Sequence, residues 1–391
     1  MTPAARLAAA AGILDEVLGG APAERVLTNW ARNARYAGSK DRAAVRDHVY
    51  DALRRRRSLA WVGGSGTGRG LILGALRLAA TDPATLMTGE GHALPPPTPE
   101  ENGRDLAEAP PGVRLDMPDW LLAGLRESLG NDLEAACQAL TRRAPVTLRV
   151  NLRKATREQA AEALVHEGIG TDLDPDVRTA LQVTDGATKI AQSGSYQCGV
   201  VELQDSSSQA AVLRLPLRNG DHVLDFCAGG GGKTLAMGAL ADLSLVAHDS
   251  DPRRMTDLLP RAARAGLQVT IQTDPTVRAP YDLVLVDAPC SGSGTWRRTP
   301  DAKWRLTPER LADLCALQDR ILDDTAPLVA PSGHLAYATC SMLRAECDDR
   351  VAAFLPRHSG WEVLDRFSVL PRDRGDGFFQ TVLRRSGHAQ P

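Results

Sequence analysis

Two residues after a short apolar run, Val223-Leu224-Asp225-Phe226, the chain carries four consecutive glycines, Gly229 to Gly232, followed by Lys233 and Thr234. Glycines there let the backbone turn tightly and approach a ligand closely, as a strand-to-helix turn in an α/β sheet requires. The chain downstream keeps that alternation. Leu243 to Asp249, Val269 to Asp274, Asp282 to Asp287 and Gly333 to Thr339 read as further strands; Phe378 to Leu383 completes the series, with an additional strand over Trp361 to Phe367. Strands alternating with helical stretches predict an α/β domain with a mostly parallel, doubly wound sheet.

The glycine loop ends in Gly232-Lys233-Thr234, as a P-loop does, but a P-loop also needs a glycine five residues before the last one. That position is Cys227, so a magnesium-dependent NTPase is disfavoured. Asp249 ends the expected second strand and Asp274 the expected third. An acidic side chain at such a place can bind ribose hydroxyls. Either alone is more simply a turn former; their repetition beside the loop points to a nucleoside ligand without a pyrophosphate.

Two more strand ends carry thiols: Asp287-Ala288-Pro289-Cys290-Ser291 after the fourth strand, and Ala338-Thr339-Cys340-Ser341 after the fifth. In open α/β sheets ligands sit outside the carboxyl ends of strands, so both cysteines should face the site. The seven cysteines are an odd number and include no C-x-x-C pair, which argues for free thiols over disulfides or a zinc site, and no metal is expected. A lone cysteine is usually a small buried hydrophobe, and Cys137, Cys198, Cys315 and Cys347 are read that way. Cys340 also precedes a helix expected over Met342 to Leu355, whose N-terminal dipole would favour the thiolate.

The N-terminal part is different. Leu7, Ala10, Leu14 and Leu18, then Val45, Val49 and Leu53, recur at helical spacing, and a short helix is expected around Leu71 to Ala80 after the glycine-rich break Gly63 to Gly70. Four segments follow: a helical domain over 1–80, a linker over 81–112, a small α+β module over 113–215 and the α/β domain over 216–391. The Pro/Glu/Gly-rich stretch Thr88 to Gly112 is expected to be mobile. The net charge of -2 argues mildly against nucleic acid, but distribution matters more than the sum. Residues 1–70 hold twelve Lys/Arg against six Asp/Glu, about +6 on that segment. Arg54 to Arg57 is either a basic patch or a solvated helix end; smaller groups are Arg142-Arg143, Arg153-Lys154, and Arg297-Arg298 with Lys303 and Arg305. No stretch offers the ~18 apolar residues of a membrane span, and Arg6, Asp15 and Glu16 interrupt the alanine-rich start, so a cytoplasmic protein is expected.

The blocks DFCAGGGGKT, DAPCSGSGTWRRTPDAKW and ATCSMLRAEC resemble the signature blocks of the Sun/Nop family of RNA cytosine-5 methyltransferases. The resemblance extends through LRVN (Leu148 to Asn151), LQDSSSQ (Leu203 to Gln209) and GFFQTVLRR (Gly377 to Arg385), and so covers the chain from about Met117 onward. The N-terminal helices resemble the NusB-type RNA-binding domain of the bacterial small-subunit ribosomal RNA member. There are two departures: the family usually has Ala-Pro where this chain has Gly229-Gly230, and the NusB-like region is shortened.

The resemblance implies a Rossmann-like methyltransferase domain that transfers a methyl group from S-adenosyl-L-methionine to cytosine C5 in RNA. Small-subunit ribosomal RNA is favoured, with no membrane and no obligate protein partner. Cys227, Ala228, Gly229, Gly230, Gly231, Gly232, Lys233, Asp249, Asp274 and Asp287 would form the cofactor pocket. Cys340 would attack C6, Asp287 would hold the pyrimidine edge, and Cys290 would serve product release. Pro289-Cys290 also resembles the Pro-Cys nucleophile of DNA cytosine-5 methyltransferases, which would exchange the two thiols. Ser208 matches a family block, although a helix N-cap explains it equally. Transfer RNA as substrate, or a catalytically silent assembly factor that binds ribosomal RNA, are the alternatives.

Overall fold

The computed structural model describes Met1–Arg385, so the last six residues of the expected α/β domain lie outside the described residues. The chain forms two compact units: Met1–Arg143 together with Trp296–Pro308, and Ala144–Thr295 together with the chain from Glu309 onward.

The first unit is helical, as the 3.6-residue pattern requires. Its helices are α1 (Pro3–Leu18), α2 (Ala23–Asn33), α3 (Ser39–Arg54), α4 (Arg56–Gly63) and α5 (Gly68–Leu78). Thr2 caps α1 by accepting the Ala5 N–H, and Pro3 opens it. Leu7, Ala10, Leu14, Val45, Val49, Leu53, Leu71 and Leu73 from three helices share one buried core.

Two expectations are corrected here. The stretch 88–112 is pinned to the helices: Glu101 takes a bidentate ion pair from Arg69 (2.5 and 2.9 Å), its carbonyl accepts from Arg77 (2.7 Å), and Trp61 donates to the Asp105 carbonyl (2.9 Å). Side-chain cations do here what apolar burial could not. The arginine run is neither a solvated helix end nor a continuous basic surface. Arg54 is buried, donating to Arg297 O (2.7 Å) and pairing with Asp51 (2.5 Å), Arg56 lies over the Trp304 ring (5.4 Å), and Arg57 pairs with Asp119 (2.7 Å). The partner segment Trp296–Pro308 leaves the other unit six residues after Cys290 and adds Lys303, whose ammonium donates to Arg54 O (3.1 Å).

The second unit holds two sheets. Strands β1 (Thr147–Val150), β2 (Gly170–Leu173), β3 (Ala180–Asp185) and β4 (Val201–Leu203) form an antiparallel sheet in the order β2-β3-β1-β4. Strands β5 (His222–Asp225), β6 (Ser244–Ala247), β7 (Val269–Ile271), β8 (Tyr281–Asp287), β9 (Val329–Thr339), β10 (Trp361–Val369) and β11 (Phe378–Arg385) form the larger sheet. Its order is β10-β11-β9-β8-β5-β6-β7, parallel from β7 to β9 with β11 antiparallel. The chain starts in the middle at β5, builds outward through β6 and β7, then crosses to β8. The carboxyl ends of β5 and β8 therefore flank the topological switch point, where such sheets bind ligands. The centre is apolar on both faces: Val223, Leu224, Val284, Leu285, Leu335 and Ala336 are all buried.

Candidate active site

At the end of β5 the backbone turns through Gly229 (φ +50) and Gly231 (φ +80) into the helix Gly232–Gly238. A Cβ on Gly231 would come within 2.7 Å of Leu258 Cγ, so the position needs glycine for space as well as conformation. The loop is held from outside. Gly229 N–H donates to Asp249 (3.0 Å) and Ala228 N–H to His248 O (2.9 Å); Arg149 on β1 donates to Gly232 O (2.7 Å), and Arg261 donates to Gly230 O. The two carbonyl clamps restrain a loop that Gly-Gly in place of Ala-Pro would leave slack. Pattern reading missed both arginines; only Arg149, inside the LRVN block, had a signal.

Of the two expected acids, Asp249 is buried two residues beyond β6 and also pairs with Arg254 (3.2 Å). Asp274 is exposed on a turn, because β7 ends at Ile271, and its carboxylate accepts from Thr276 N (3.0 Å) and Oγ1 (2.6 Å). At the end of β5, Asp225 is buried and its Oδ2 accepts from Thr234 Oγ1 (2.6 Å), while Oδ1 has no partner among the described residues. Burial pushes this carboxyl up to about 6. Lys233 pairs with Asp287 at 2.5 Å and lies 5.0 Å from the centre of the Phe378 ring. Burial alone would lower its ammonium, but Asp287 outweighs burial and raises it, so the cation persists.

Cys290 and Cys340 meet at the adjacent ends of β8 and β9, with 3.4 Å between their sulfurs. Both are half-buried. The hydrogen bond between them holds Cys340 below the ordinary thiol range, helped by the Lys233 charge, and pushes Cys290 well above it. The expected helix dipole contributes nothing to this: Met342 to Cys347 is a loop with one 3-10 turn, and the helix begins at Asp348. The loop cannot be helical because Ser341 is pulled inward onto Glu346 (2.6 Å).

The profile of the family described as "16S rRNA methyltransferase RsmB/F" matches residues 212–384, and its ferredoxin-like domain matches 117–189. Ribosomal RNA small subunit methyltransferase B of Enterobacter sp. (strain 638) is 36% identical over 290 residues, 69% of this chain and 67% of that one. The Salmonella typhi protein of the same name is 34% identical over 287 residues, with the same shares. The chain belongs to this family.

It is therefore an RNA methyltransferase, and dependence on S-adenosylmethionine comes with RsmB/F membership. Solved structures agree on the fold. PH0851 superimposes with a TM-score of 0.77 at 22% identity over 98% of this chain and 99% of that one. A methyltransferase homologue from Pyrococcus horikoshii gives a TM-score of 0.62 at 22% identity over 70% of this chain and 97% of that one.

Within the RsmB/F blocks, side chains not anticipated from sequence tie the two cysteine loops together. Glu346 is fully buried and accepts from Ser291 N (2.7 Å), Ser291 Oγ (2.5 Å), Ser341 Oγ (2.6 Å) and Gln318 Nε2 (3.1 Å). Gly294 N–H donates to Cys340 O (2.9 Å), and its own carbonyl accepts from Gly377 N (2.9 Å) at an approach too close for a side chain on either residue. Ser208 is not an N-cap: Asp205 caps that helix by accepting Ser207 N–H (2.9 Å), and Ser208 Oγ accepts from Gln204 (3.4 Å). Two of the cysteines read as buried hydrophobes are not fully so: Cys198 is exposed and Cys315 half-buried, whereas Cys137 and Cys347 are buried.

Proposed function

We propose that the chain methylates C5 of a cytosine in small-subunit ribosomal RNA through a covalent bond between Cys340 and C6. The observation that carries this reading is the 3.4 Å approach of two thiols beside the Lys233–Asp287 pair at the switch point of the sheet. The names of the curated relatives support the ribosomal target.

The glycine loop fits S-adenosylmethionine. Gly231 leaves no room for a side chain, Asp249 sits at the carboxyl end of β6, and Asp225 Oδ1 has capacity to accept a hydrogen bond. Residues Cys227 to Lys233 with Asp249, Asp274 and Asp287 are the proposed pocket. When bound there, the cofactor supplies an electrophilic methyl group. The protein's own task is to make C5 able to accept it, since a cytosine C5 is a poor nucleophile until C6 is saturated.

Cys340 is the better nucleophile because its thiol is held low and the Cys290 thiol high. Its sulfur pair forms the S–C6 bond, and the C5–C6 π pair moves to C5. Asp287 accepts hydrogen bonds from the pyrimidine edge and stabilises its protonated form, with Lys233 holding that carboxylate in place. After methylation the C5 proton passes to solvent water, the C5–C6 double bond re-forms from the C5–H pair, and the S–C6 pair returns to sulfur. Cys290, still protonated, hydrogen-bonds the departing thiolate. The target base must be unpaired or flipped out to reach these groups.

The test is incubation with methyl-labelled S-adenosylmethionine and unmethylated small-subunit ribosomal RNA, wild type beside Cys340→Ala. Label recovered as 5-methylcytosine only with wild type is the expected result. Equal labelling by Cys340→Ala would transfer the nucleophile role to Cys290, and label only on transfer RNA would change the substrate. Cys290→Ala is expected to accumulate a covalent protein–RNA adduct.

A further inference from the structure

Glu346 has no part in the mechanism above, yet it is a fully buried carboxylate that accepts four hydrogen bonds. Its Oε1 accepts from Ser291 N and Gln318 Nε2, and its Oε2 from Ser291 Oγ and Ser341 Oγ. Ser291 directly follows Cys290 and Ser341 directly follows Cys340. One carboxylate therefore grips the residue next to each thiol, at the ends of two different strands. Ser293 strengthens the same seam, lying 3.0 Å from Ser341 Oγ and accepting Met342 N–H at 2.7 Å. The backbone carbonyl of Glu346 also accepts from Tyr337 OH on β9 (2.7 Å). Among the described residues no cation pairs with Glu346, so neutral donors alone hold it.

We infer that Glu346 is a positioning residue for methyl transfer, clamping the Cys290 loop to the Cys340 loop and setting the spacing of the two thiols. A clamp built only to hold two loops needs no charge; buried amides and hydroxyls hold loops without the desolvation cost of a carboxylate. The charge acts on the pair. The groups facing Cys290 are Cys340, Glu346 and Tyr337, while Lys233 and Asp287 face Cys340. The hydrogen bond with Cys340 and burial push the Cys290 thiol up first, and the nearby Glu346 carboxylate adds to them by making a second negative charge at Cys290 unfavourable. This rests on Cys340 being the nucleophile.

Glu346→Gln keeps the shape and removes the charge, and hydroxyls at Ser291 and Ser341 can turn to suit an amide. The free enzyme is first alkylated with iodoacetamide across a pH series, and each cysteine is followed by mass spectrometry, a readout that needs neither cofactor nor RNA. The expected result is that the midpoint for Cys290 falls by about one pH unit in Glu346→Gln while the protein stays folded by circular dichroism. A folded variant with an unmoved Cys290 midpoint overturns the electrostatic part. In the methylation assay the same variant should retain its KM for RNA within about twofold, lose kcat by roughly tenfold, and accumulate covalent adduct. Should Glu346→Gln fail to fold, Ser341→Ala tests the clamp: kcat is expected to fall about tenfold with the Cys290 midpoint unmoved, and unchanged kcat overturns the clamp. Equal methylation by wild type and Cys340→Ala would break the nucleophile assignment and leave the alkylation result standing.

Discussion

Both units bury charge, and what adjoins it differs: in each a buried arginine, Arg54 or Arg149, donates to a backbone carbonyl, but only the α/β unit sets charges beside a pair of thiols. In the helical unit, Arg54 and Lys303 are buried and turned toward carbonyl oxygens: Arg54 donates to Arg297 O, Lys303 to Arg54 O, with the Lys303 ammonium 4.5 Å from the centre of the Trp304 ring. In the α/β unit the charges near the thiols face one another or the cysteine loops: half-buried Lys233 pairs with Asp287, buried Asp225 keeps one oxygen without a partner among the described residues, and Glu346 lies between the cysteine loops. Cations of the first kind are mortar, since they join the Trp296–Pro308 segment to the helices and adjoin no reactive group. Charges of the second kind are poised, since reactive groups adjoin them and an unused valence remains. A basic run in a sequence is thus weaker grounds for a site than a few acids and thiols at strand ends.

The sharpest way to break that contrast is to remove a group of the second kind. Cys340→Ala is expected to lower methylation by on the order of 10⁴-fold or more, with no loss of folded protein by circular dichroism. Measurable turnover near wild type would make the thiol pair structural. Lys233→Met comes next. It removes the cation beside Cys340 and should reduce kcat/KM by roughly 10²-fold. Because the cation favours the thiolate, its loss raises the Cys340 pKa, so the acid limb of the kcat/KM–pH profile should move to higher pH. A profile that stays in place would show that Lys233 has no influence on the thiol.

The helical unit offers the converse test. Burial pushes the Lys303 ammonium down to about 8 from 10.5. The folded unit therefore binds fewer protons than the unfolded chain between those values, and stability should rise with pH across that window, by up to about 3 kcal/mol. Lys303→Met should flatten that slope in denaturant titrations at pH 8 and 10; a slope unchanged by the substitution would mean the lysine is neutralised in another way. The smallest effect is expected at Asp274, whose carboxylate caps a turn. Asp274→Ala should lower stability slightly and raise KM for S-adenosylmethionine, as its place in the proposed pocket requires; an unmoved KM would leave it a turn cap alone.

Much of the α/β unit could be read from the chain because the relevant physics is local. A glycine run after Val223 to Phe226, and thiols after two apolar runs, need only strand periodicity and the rule that ligands sit at carboxyl ends. Both thiols are expected to face the site, and the β8–β9 pairing brings Cys290 to Cys340. What failed depended on partners distant in sequence. The helix expected from Met342 starts only at Asp348, where Glu346 is held by Ser341 and by Ser291, 55 residues before it. Within 88–112, Glu101 is bonded by Arg69 and Arg77, contacts no local pattern announces, and the exposure expected of Arg54 is removed by a segment more than 240 residues away.

The sequence by itself determined which residues are chemically capable: a loop that only glycine can turn, acids and thiols at strand ends, and blocks specific enough to identify the family. These follow from composition at fixed spacing, which the chain carries whatever its long-range contacts. The tertiary structure alone decided which of those groups meet, and with what charge. Cys340 is the lower thiol because Cys290 and Lys233 reach it, and the glycine loop is held because Arg149 and Arg261 find its carbonyls. Electrostatic and hydrogen-bond energies depend on separation in space, and separation along the chain does not fix that.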